Sequence, residues 1–556
     1  MSLDVRDTAP AGSLEPTLVA DLVALAAGRD GAKDALVEVS GRRLTWADLD
    51  REVGRVATGL GDVGMVAGQR VLIALGNRIE LVTTYLGVLR AQLVAVPVNP
   101  VATAAELAWM VADSGARLVI ADAATAATAR AAGELVEAAL GGARDVLDDE
   151  VVERARQPRL VVVGPELVTE AGTGELTYAD LLAGEPRRLP SRPEPETLAC
   201  LLYTGSTADR PRAAMLTHRA LLANVEQTAA VRPAGLVTTG ADDVVLGVLP
   251  LFHVYGLNAV LGGVLRQGAT LVLAERFDPR GTLEVVAEHG VTVVPVAPAV
   301  FPQWLARDDL RDAFASVRLV LSGSAPLSRS VIEEFTARTG VPVHQGYGLT
   351  EAAPVVTSTL ASSGGPGSLG AALPGVGLRL VDDQGLEPEP GDPGEIQVRG
   401  SNLFSGYWPD GSDGPGADGW WPTGDVGYVD DAGDLHLVDR ASEVVVVAGF
   451  RVYPHEVEAV IGQVPGVEEV AVIGVPDDTT GHTVVAYVRV AGLDPDRTQP
   501  AEVADAVRER CAVALAGFKR PARVEVVDEL PTTLAGRVRK GELRQLERRR
   551  ALGILE

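Results

Sequence analysis

The chain has 556 residues, of which 47% are hydrophobic and 22% are charged, and its formal net charge at pH 7 is −26. This length predicts at least two globular domains, and the negative charge argues against nucleic acid as a partner, because a polyanion would be repelled. Cys200 and Cys511 stand far apart and outside any CxxC spacing, which disfavours a disulfide framework and favours a reducing cytoplasm. Arg90 interrupts the apolar region at 81–98, and the N-terminus lacks the pattern of a signal peptide, so no membrane span is expected.

Short β-branched runs alternate with longer segments rich in Ala, Glu and Leu along the first 440 residues. These runs are apolar throughout rather than at every second residue, which is typical of sheets covered by helices on both faces. The predicted fold class is therefore α/β, with layered sheets in a large N-terminal domain. The runs that predict strands lie at 71–75, 93–98, 118–120, 160–163 and 317–321.

The last part of the chain predicts a second, smaller domain. Four strand-like runs, EVVVVAGFRVY, VEEVAVIGV, TVVAYVRV and RVEVVDEL, alternate there with two helical runs, a pattern that indicates an α+β domain. A Gly/Pro/Asp-rich passage at 361–424 precedes it. We place the N-terminal domain at 1–438, a hinge at 439–442 and the C-terminal domain at 443–556.

Several motifs combine residue types that suit a nucleotide. In QGYGLTE, Tyr347 offers a ring for a purine, Thr350 offers a hydroxyl donor, and Glu351 offers a carboxylate of the kind that Mg²⁺ prefers. TGD, ending at Asp425, supplies an acceptor for a ribose diol. Each motif alone is equally well explained as an ordinary Gly-rich turn. Five stretches matter together: YTGSTADRPRAAMLTH at 203–218, LPLFHVYGLN at 249–258, SGSAPL with HQGYGLTE at 322–351, GWWPTGDVG with DRASEVVVVAGFRVYPHEVE at 419–458, and LPTTLAGRVRKGELR at 530–544.

In this order and spacing, the five stretches resemble the adenylate-forming superfamily of acyl-CoA synthetases, luciferases and peptide-synthetase adenylation domains. The resemblance implies a first step that makes an acyl-AMP from an acid and Mg-ATP. It implies a second step in which a thiol displaces AMP after the C-terminal domain has moved. It also implies that Tyr347 stacks on adenine, that Thr350 bonds the α-phosphate, and that Glu351 is a metal ligand if Mg-ATP is used. The implied nucleotide-binding residues are Ser322, Gly323, Ser324, Ala325, Pro326, Gln345, Gly346, Tyr347, Gly348, Asp425 and Arg440.

The resemblance also implies an acyl pocket and a coenzyme A site. His253 lies among apolar and aromatic neighbours in FHVYG, where a core histidine is the alternative interpretation. This motif offers no aspartate to hold an α-ammonium group, which disfavours an amino acid substrate. The implied acyl-pocket residues are His253, Val254, Asn258 and Gly348, and the implied CoA-binding residues are Ala448, Gly449, Phe450 and Arg451.

The phosphate loop departs from the superfamily pattern YTSGTTGxPKG, in which glycines free backbone N–H groups and a lysine supplies charge. Gly205 and Ser206 are transposed, and Asp209 replaces a glycine. A carboxylate about 4 Å from a phosphate oxygen costs on the order of 4 kcal/mol at an effective dielectric constant near 20, before screening by salt. The loop is therefore interpreted as degenerate for a triphosphate. Its residues are Thr204, Gly205, Ser206, Thr207, Ala208, Asp209, Arg212 and Ala213.

A second departure affects the last motif, where Arg537 replaces the superfamily lysine that bridges the substrate carboxylate and the α-phosphate. Losing one donor aimed at a transition state commonly costs about 10²- to 10³-fold in rate. General replacement of lysine by arginine explains Arg537 and Arg212, since the chain has only three lysines, but it does not explain Asp209. Lys540 is an alternative source of the missing amine. Ser442 stands at the hinge, and the predicted catalytic residues are Thr350, His253 and Arg537.

These features predict an acyl-CoA ligase that is deficient in adenylation. It would convert a preformed acyl-AMP and CoA to acyl-CoA and AMP, without productive use of ATP and Mg²⁺. This pattern resembles the non-adenylating acyl-CoA ligases of platensimycin-type terpenoid biosynthesis, which implies a terpenoid acyl group and a separate adenylating partner enzyme. Two alternatives stay open: a complete two-step synthetase, and a catalytically inactive protein that binds an acyl-nucleotide.

Overall fold

The structure, a computed structural model, describes most of the chain. The described residues are 16–143, 147–164, 175–187, 194–204, 211–232, 237–325, 327–362, 365, 367–382, 384–389, 391–440, 443–447, 450–477, 481–490, 500–532 and 538–551. The strands are β1 (Asp34–Glu38), β2 (Arg43–Thr45), β3 (Arg70–Ala74), β4 (Val94–Pro97), β5 (Leu118–Asp122), β6 (Arg159–Val163), β7 (Leu176–Thr177), β8 (Leu198–Thr204), β9 (Arg212–Thr217), β10 (Val244–Gly247), β11 (Thr270–Leu273), β12 (Val293–Val296), β13 (Leu319–Ser322), β14 (Val343–Gln345), β15 (Thr357–Ser358), β16 (Ala371–Ala372), β17 (Gly377–Val381), β18 (Gly394–Arg399), β19 (Trp421–Val429), β20 (Leu435–Arg440), β21 (Val445–Val447), β22 (Phe450–Val452), β23 (Val467–Asp477), β24 (Gly481–Val490) and β25 (Arg523–Val526).

The α-helices alternate with these strands. They are α1 (Asp21–Asp30), α2 (Trp46–Asp62), α3 (Ile79–Arg90), α4 (Ala104–Ser114), α5 (Ala126–Leu140), α6 (Asp149–Arg154), α7 (Tyr178–Leu182), α8 (His218–Ala229), α9 (Gly263–Gln267), α10 (Gly281–Glu288), α11 (Val300–Leu305), α12 (Leu310–Ala313), α13 (Arg329–Thr339), α14 (Pro454–Ile461), α15 (Pro500–Ala514) and α16 (Lys540–Ala551). Local sequence explains where several of them begin. Thr45 caps α2 by accepting the Asp48 N–H at 3.1 Å, and Asp48 in turn accepts from the Thr45 backbone, which forms a capping box.

Two seven-stranded sheets form the framework of the N-terminal part. The first has the strand order β14-β13-β12-β10-β11-β1-β2, and the second has the order β7-β6-β5-β3-β4-β8-β9. Neighbouring strands run parallel in both sheets, except that β2 is antiparallel to β1 and β9 is antiparallel to β8. Parallel strands require crossover connections, and the helices between them supply these connections.

Helices cover both faces of each seven-stranded sheet. The largest apolar cluster contains buried residues of both sheets together with residues of α2 and α3, so these helices lie in the shared core. A second cluster, with Phe301 and Phe335, covers the other face of the first sheet, and a third, with Leu107 and Val136, covers the other face of the second. This double coverage explains why the strands are apolar throughout.

Smaller sheets complete the fold. Strands β17, β18, β19 and β20 form an antiparallel four-stranded sheet, and β15 pairs with β16. The C-terminal sheet has the order β22-β21-β24-β23, with β25 parallel to β24, and α14 and α15 pack on it through Val457, Ile461, Val507 and Cys511. These sheets confirm the predicted α/β class with a smaller C-terminal α+β part. The boundaries at 438 and 443 stay a prediction, because residues 441 and 442 lie outside the described residues.

A helix that crosses a bilayer must be both long and predominantly apolar. Within the described ranges, no helix meets both conditions.

Two glycines of α2 provide a test of the packing between α2 and α7. A Cβ at Gly59 would overlap the backbone carbonyl of Leu181, whereas a Cβ at Gly61 would meet nothing within 4 Å. We expect Gly59→Ala to lower the free energy of unfolding by about 1–3 kcal/mol, because the helices must separate. Gly61→Ala should leave it unchanged or raise it by up to about 1 kcal/mol, because alanine is the better helix former. Urea unfolding of both variants measures this difference, and equal effects would contradict the close approach of the helices.

Candidate active site

The carboxyl edge of the first sheet brings two of the motifs together. Val296 pairs with Ser322, and Ser322 pairs with Gln345, so the loops after β12, β13 and β14 leave the sheet side by side. The Gln345 side-chain oxygen accepts the Leu327 backbone N–H at 2.7 Å, which fastens SGSAPL to QGYG. Clefts at this edge of parallel sheets are the usual place for a ligand. The structure therefore places the predicted residues Ser322 to Ala325 beside Gln345, whereas Pro326 lies outside the described residues.

The loop after Ser322 has unusual backbone geometry. Ser324 has a φ of 77°, a left-handed conformation that non-glycine residues seldom adopt outside strained, frequently functional, sites. A Cβ at Gly323 would lie 2.8 Å from the ring of Tyr255, so glycine is required for this ring to pack against the loop. The LPLFHVYGLN motif is thereby brought against SGSAPL.

Gly346 and Gly348 have a packing role. A Cβ at Gly346 would lie 2.5 Å from the Thr357 carbonyl oxygen, and a Cβ at Gly348 would overlap the Pro354 carbonyl oxygen. The two glycines thus let the chain at 354–357 return directly against the loop. The resemblance assigns both glycines to nucleotide binding, and the structure shows in addition a close backbone contact that glycine alone allows.

Tyr347 and Asp425 are in direct contact although 78 positions separate them. The hydroxyl of Tyr347 donates a hydrogen bond of 2.7 Å to Asp425 Oδ2, and Tyr347 is buried. Asp425 in β19 is also the direct register partner of Arg440 in β20. Three residues that the sequence assigned to nucleotide binding therefore converge from the first sheet and the four-stranded sheet.

Thr350 and Glu351 begin a short 3₁₀-helix, Thr350–Ala352. Glu351 is buried, and its Oε1 accepts a hydrogen bond of 2.6 Å from the hydroxyl of Tyr407. Burial, together with the negative charge of Glu351, raises the pKa of Tyr407 well above its ordinary value, so this phenol stays protonated and acts as the donor. Within the described residues, no partner is recorded for the hydroxyl of Thr350, which is half-exposed and available to a ligand.

Strands β8 and β9 form a hairpin that carries the phosphate loop. Thr204 and Arg212 are direct register partners at its end, and Thr204 Oγ1 donates to the Arg212 carbonyl oxygen at 3.3 Å. Ala213 is buried in the core, and its carbonyl oxygen accepts the Trp408 backbone N–H at 2.9 Å. The predicted residues Gly205, Ser206, Thr207, Ala208 and Asp209 lie outside the described residues.

The guanidinium of Arg212 contacts three groups of the 407–413 segment: the Tyr407 ring, the Asp413 carboxylate and, at 3.5 Å, the Ser412 hydroxyl. Its central carbon lies 3.7 Å from the centre of the Tyr407 ring, and its Nη2 donates to Asp413 Oδ2 at 2.7 Å. Neither Tyr407 nor Asp413 could be predicted from the sequence, because no motif marks them and Asp413 is 201 positions from Arg212. The structure thus extends the candidate site from Glu351 through Tyr407 to the phosphate loop.

Three of the four predicted acyl-pocket residues, His253, Val254 and Asn258, lie just before or within a π-helix, Tyr255–Gly262, a rare element that often occurs at functional sites. The fourth, Gly348, lies in the loop after β14. His253 precedes the π-helix and is exposed, and its Nδ1 accepts the Tyr255 N–H at 3.3 Å. This position differs from the apolar surroundings that the sequence indicated, because the neighbouring apolar side chains turn inward while the histidine does not. Val254 is buried.

Asn258 is also buried, but its amide group binds protein. It donates to the Leu221 carbonyl oxygen at 3.0 Å and to the Ala353 carbonyl oxygen at 2.6 Å. Asn258 therefore fastens the π-helix to α8 and to the segment after Glu351. Both of its donors are used in the fold, which leaves only its side-chain oxygen to face another group.

The C-terminal candidates are described only in part. Phe450 and Arg451 lie in β22, opposite Val447 and Val446 of β21, whereas Ala448 and Gly449, like Ser442 and Arg537, lie outside the described residues. Lys540, at the beginning of α16, lies 2.9 Å from Glu443 and 2.9 Å from Glu458. Its side chain is 12% exposed. Two carboxylates thus hold the amine that the sequence offered as an alternative to Arg537.

Glu351 is the candidate metal ligand. No group of three or more His, Cys, Asp or Glu side chains that would hold an ion occurs in the part of the chain that the structure describes. A single buried carboxylate suits Mg²⁺ only when nucleotide phosphates and water supply the other ligands, which is the usual arrangement for that ion.

Comparisons with known proteins agree with this geometry. The family model for AMP-binding enzymes matches residues 23–408, and the model for the AMP-binding enzyme C-terminal domain matches residues 456–537. A long-chain-fatty-acid–CoA ligase of Escherichia coli O157:H7 is 33% identical over 509 residues, which cover 87% of this chain and 86% of that protein. The crystal structure of ATP-bound MatB from Rhodopseudomonas palustris aligns with a TM-score of 0.81 and 31% identity over 95% of this chain and 98% of that one. The anthranilate CoA ligase AuaEII in complex with anthranoyl-AMP aligns with a TM-score of 0.81 and 25% identity over 97% and 99%.

Removing the Lys540 amine tests whether it has a structural role. Lys540→Met should lower the free energy of unfolding by about 3 kcal/mol, because Glu443 and Glu458 lose their cation in a mostly buried place. Lys519→Met is the matched control, since Lys519 contacts Glu456 at 2.7 Å but both side chains are more exposed, at 23% and 42%. The control should lose less than about 1 kcal/mol. Urea unfolding measures both, and equal losses would contradict a buried ion pair at Lys540.

Proposed function

The chain belongs to the AMP-binding enzyme family, and we propose that it is an acyl-CoA ligase that performs only the thioester-forming step. In this reaction the sulfur of CoA attacks the acyl carbon of an acyl-AMP. The bond between that carbon and the phosphate oxygen breaks, AMP leaves with the electron pair, and the thiol proton passes to solvent. The substrates are CoA and a preformed acyl-AMP, and ATP with Mg²⁺ is not used productively.

One observation carries the proposal: the parts suited to a nucleoside monophosphate are assembled, whereas the parts suited to a triphosphate are altered. Tyr347 and Asp425 meet at 2.7 Å, and Arg440 is paired beside them. In contrast, Asp209 stands in the phosphate loop, and Arg537 stands in place of a lysine. The carboxylate opposes additional phosphates, and a wide planar guanidinium does not put a compact donor at the same point.

The proposed residue roles follow from this division. Tyr347 stacks on adenine, Asp425 accepts from the ribose hydroxyls, and Thr350 donates to the α-phosphate as charge develops on the departing AMP. AMP is already a good leaving group, so the protein mainly orients the thiol against the acyl carbon. His253, exposed at the start of the π-helix, shapes the entry beside that carbon. The resemblance assigns residues 448–451 to the binding of CoA.

The finer parts of the proposal concern the substrate and its source. A chain that does not adenylate requires a partner enzyme that makes the acyl-AMP. The departures resemble those of non-adenylating ligases in platensimycin-type biosynthesis, which favours a terpenoid acyl group. Cys200 and Cys511 are free and buried, which agrees with a reducing cytoplasm.

A complete two-step synthetase is the second candidate, and the similarity to ATP-bound MatB favours it. In that case Glu351 would hold Mg²⁺, which would neutralise phosphate charge, and Arg537 would replace the lysine. A catalytically inactive acyl-nucleotide-binding protein is the third candidate. It would keep the contact between Tyr347 and Asp425 but would form no thioester.

A paired assay on the purified chain separates the three candidates. With benzoyl-, decanoyl- or diterpenoid acyl-AMP and CoA, we expect thioester and AMP to form. With the corresponding acids, Mg-ATP and CoA, we expect thioester formation and pyrophosphate release at least about 10²-fold slower. Comparable rates by the two routes would establish the complete synthetase, and no thioester from any acyl-AMP would favour the inactive binding protein.

Restoring the altered residues locates the defect. The double variant Asp209→Gly with Arg537→Lys should gain pyrophosphate release from acid and Mg-ATP, while thioester formation from acyl-AMP stays within a few fold of the native rate. Each single variant serves as a control and should gain less, because both residues act on one transition state. A double variant with no gain would show that the block to adenylation lies elsewhere.

Loss of the Tyr347 hydroxyl tests the proposed nucleotide site. Tyr347→Phe keeps the ring but removes the donor to Asp425, so AMP should bind about 5- to 20-fold more weakly, as expected for a charge-assisted hydrogen bond. Tyr428→Phe is the matched control. Tyr428 lies on β19, the strand that carries Asp425, and its ring stacks on the His436 ring with 4.8 Å between the ring centres. Isothermal titration calorimetry with AMP measures both variants. Equal affinities of the two variants would show that the bond between the Tyr347 hydroxyl and Asp425 does not contribute to AMP binding.

A further inference from the structure

Arg212 has a defined position at the entrance to the phosphate loop. It is the first residue of β9 and the register partner of Thr204, so its side chain begins where the loop at 205–211 rejoins the hairpin. In the superfamily pattern a lysine at this position supplies charge to the phosphates. The structure shows instead that the guanidinium of Arg212 is already in contact with protein, through Tyr407 and Asp413.

The residue type at 212 matters for these contacts. A guanidinium is planar, so one face can lie on the Tyr407 ring while an edge donates to Asp413. The distances of 3.7 Å to the ring centre and 2.7 Å to Asp413 Oδ2 show both contacts at once. A lysine ammonium is a compact point charge on a flexible stem and does not stack in this way. Arginine at 212 thus does more than preserve a positive charge.

Both partners of Arg212 are fixed by other bonds. The Tyr407 hydroxyl donates to Glu351, and its backbone N–H donates to the Ser412 carbonyl oxygen at 2.9 Å. Asp413 has a left-handed backbone with a φ of 53°, and its carbonyl oxygen accepts the indole N–H of Trp421 at 2.8 Å. The carboxylate therefore belongs to a built turn, although its side chain is 70% exposed.

We propose that Asp413 is a specificity-determining residue that, with the Tyr407 ring, holds Arg212 away from phosphate and so disfavours a triphosphate. A triphosphate would have to compete with Asp413 for the Nη2 donor of the guanidinium. A nucleoside monophosphate held by Tyr347 and Asp425 does not need that contact. The inference rests on the proposed function in naming the triphosphate as the disfavoured ligand, but it concerns binding rather than turnover.

The test compares the affinities for ATP and AMP, measured by isothermal titration calorimetry at one ionic strength. Asp413→Asn keeps the size of the side chain, and asparagine tolerates a left-handed backbone, so the turn should fold. We expect ATP to bind about 3- to 5-fold more tightly, within the range of a partly exposed ion pair. The fold-change in the affinity for AMP should be less than half of that for ATP. A gain for AMP equal to that for ATP would overturn the proposal.

Asp418→Asn is the matched control, because it removes the same charge from another exposed aspartate, outside the 407–413 segment. Asp418 is 64% exposed, accepts the Trp420 N–H at 3.1 Å and has no recorded contact with Arg212 in the described residues. We expect its ATP affinity to change by less than twofold. Equal gains from the two aspartate variants would attribute the effect to net charge and would overturn the proposal.

A double variant tests whether Arg212 mediates the effect. In an Arg212→Met background, Asp413→Asn should give no gain in ATP affinity, because the released guanidinium is absent. A full gain in that background would overturn the proposal. ATP-dependent turnover by the native chain would contradict the proposed function but would leave this comparison of affinities valid, so the two failures are distinguishable.

Discussion

The hydrogen bond between the Tyr347 hydroxyl and Asp425 joins two parts of the fold that are otherwise separate in sequence. Tyr347 follows β14 at the carboxyl edge of the first sheet, and Asp425 lies within β19 of the four-stranded sheet, where it is paired with Arg440. The bond fixes the position of the Tyr347 ring relative to the Asp425 carboxylate, the two groups that we propose hold the adenine and the ribose. Gly346 and Gly348 help to position Tyr347, because they let the chain at 354–357 pack directly against this loop. A side chain at either glycine would separate the two segments.

At the other end of the site, near Glu351 and Arg212, the charged side chains are already in contact with protein groups. Glu351 accepts a hydrogen bond from Tyr407, and Arg212 contacts Tyr407 and Asp413. The sequence adds Asp209 to the loop itself. We propose that a site with these contacts, and with an additional carboxylate in its phosphate loop, favours a short anionic ligand over a long one. This asymmetry links the geometry to the proposed thioester-forming reaction.

Secondary-structure elements that depend on local patterns of apolar residues could be predicted from the sequence. The apolar runs at 71–75 and 160–163 correspond to β3 and β6, because strands buried on both faces must be apolar at every position. Side-chain contacts between segments that are distant in the sequence could not be predicted in this way. Asn258 in an apolar motif was assigned to the acyl pocket, yet its amide binds Leu221 and Ala353, which are 37 and 95 positions away. Tyr407 carries no motif, and only the fold brings it to Glu351 and Arg212.

The proposed function requires the site to bind a nucleoside monophosphate better than a nucleoside triphosphate. This requirement is tested by the ratio of the dissociation constants of AMP and Mg-ATP for the native chain, at one pH and one ionic strength. AMP should bind more tightly than Mg-ATP, because Asp209 adds a negative charge to the phosphate loop and Arg212 is already paired with Asp413. Tighter binding of Mg-ATP than of AMP would contradict it.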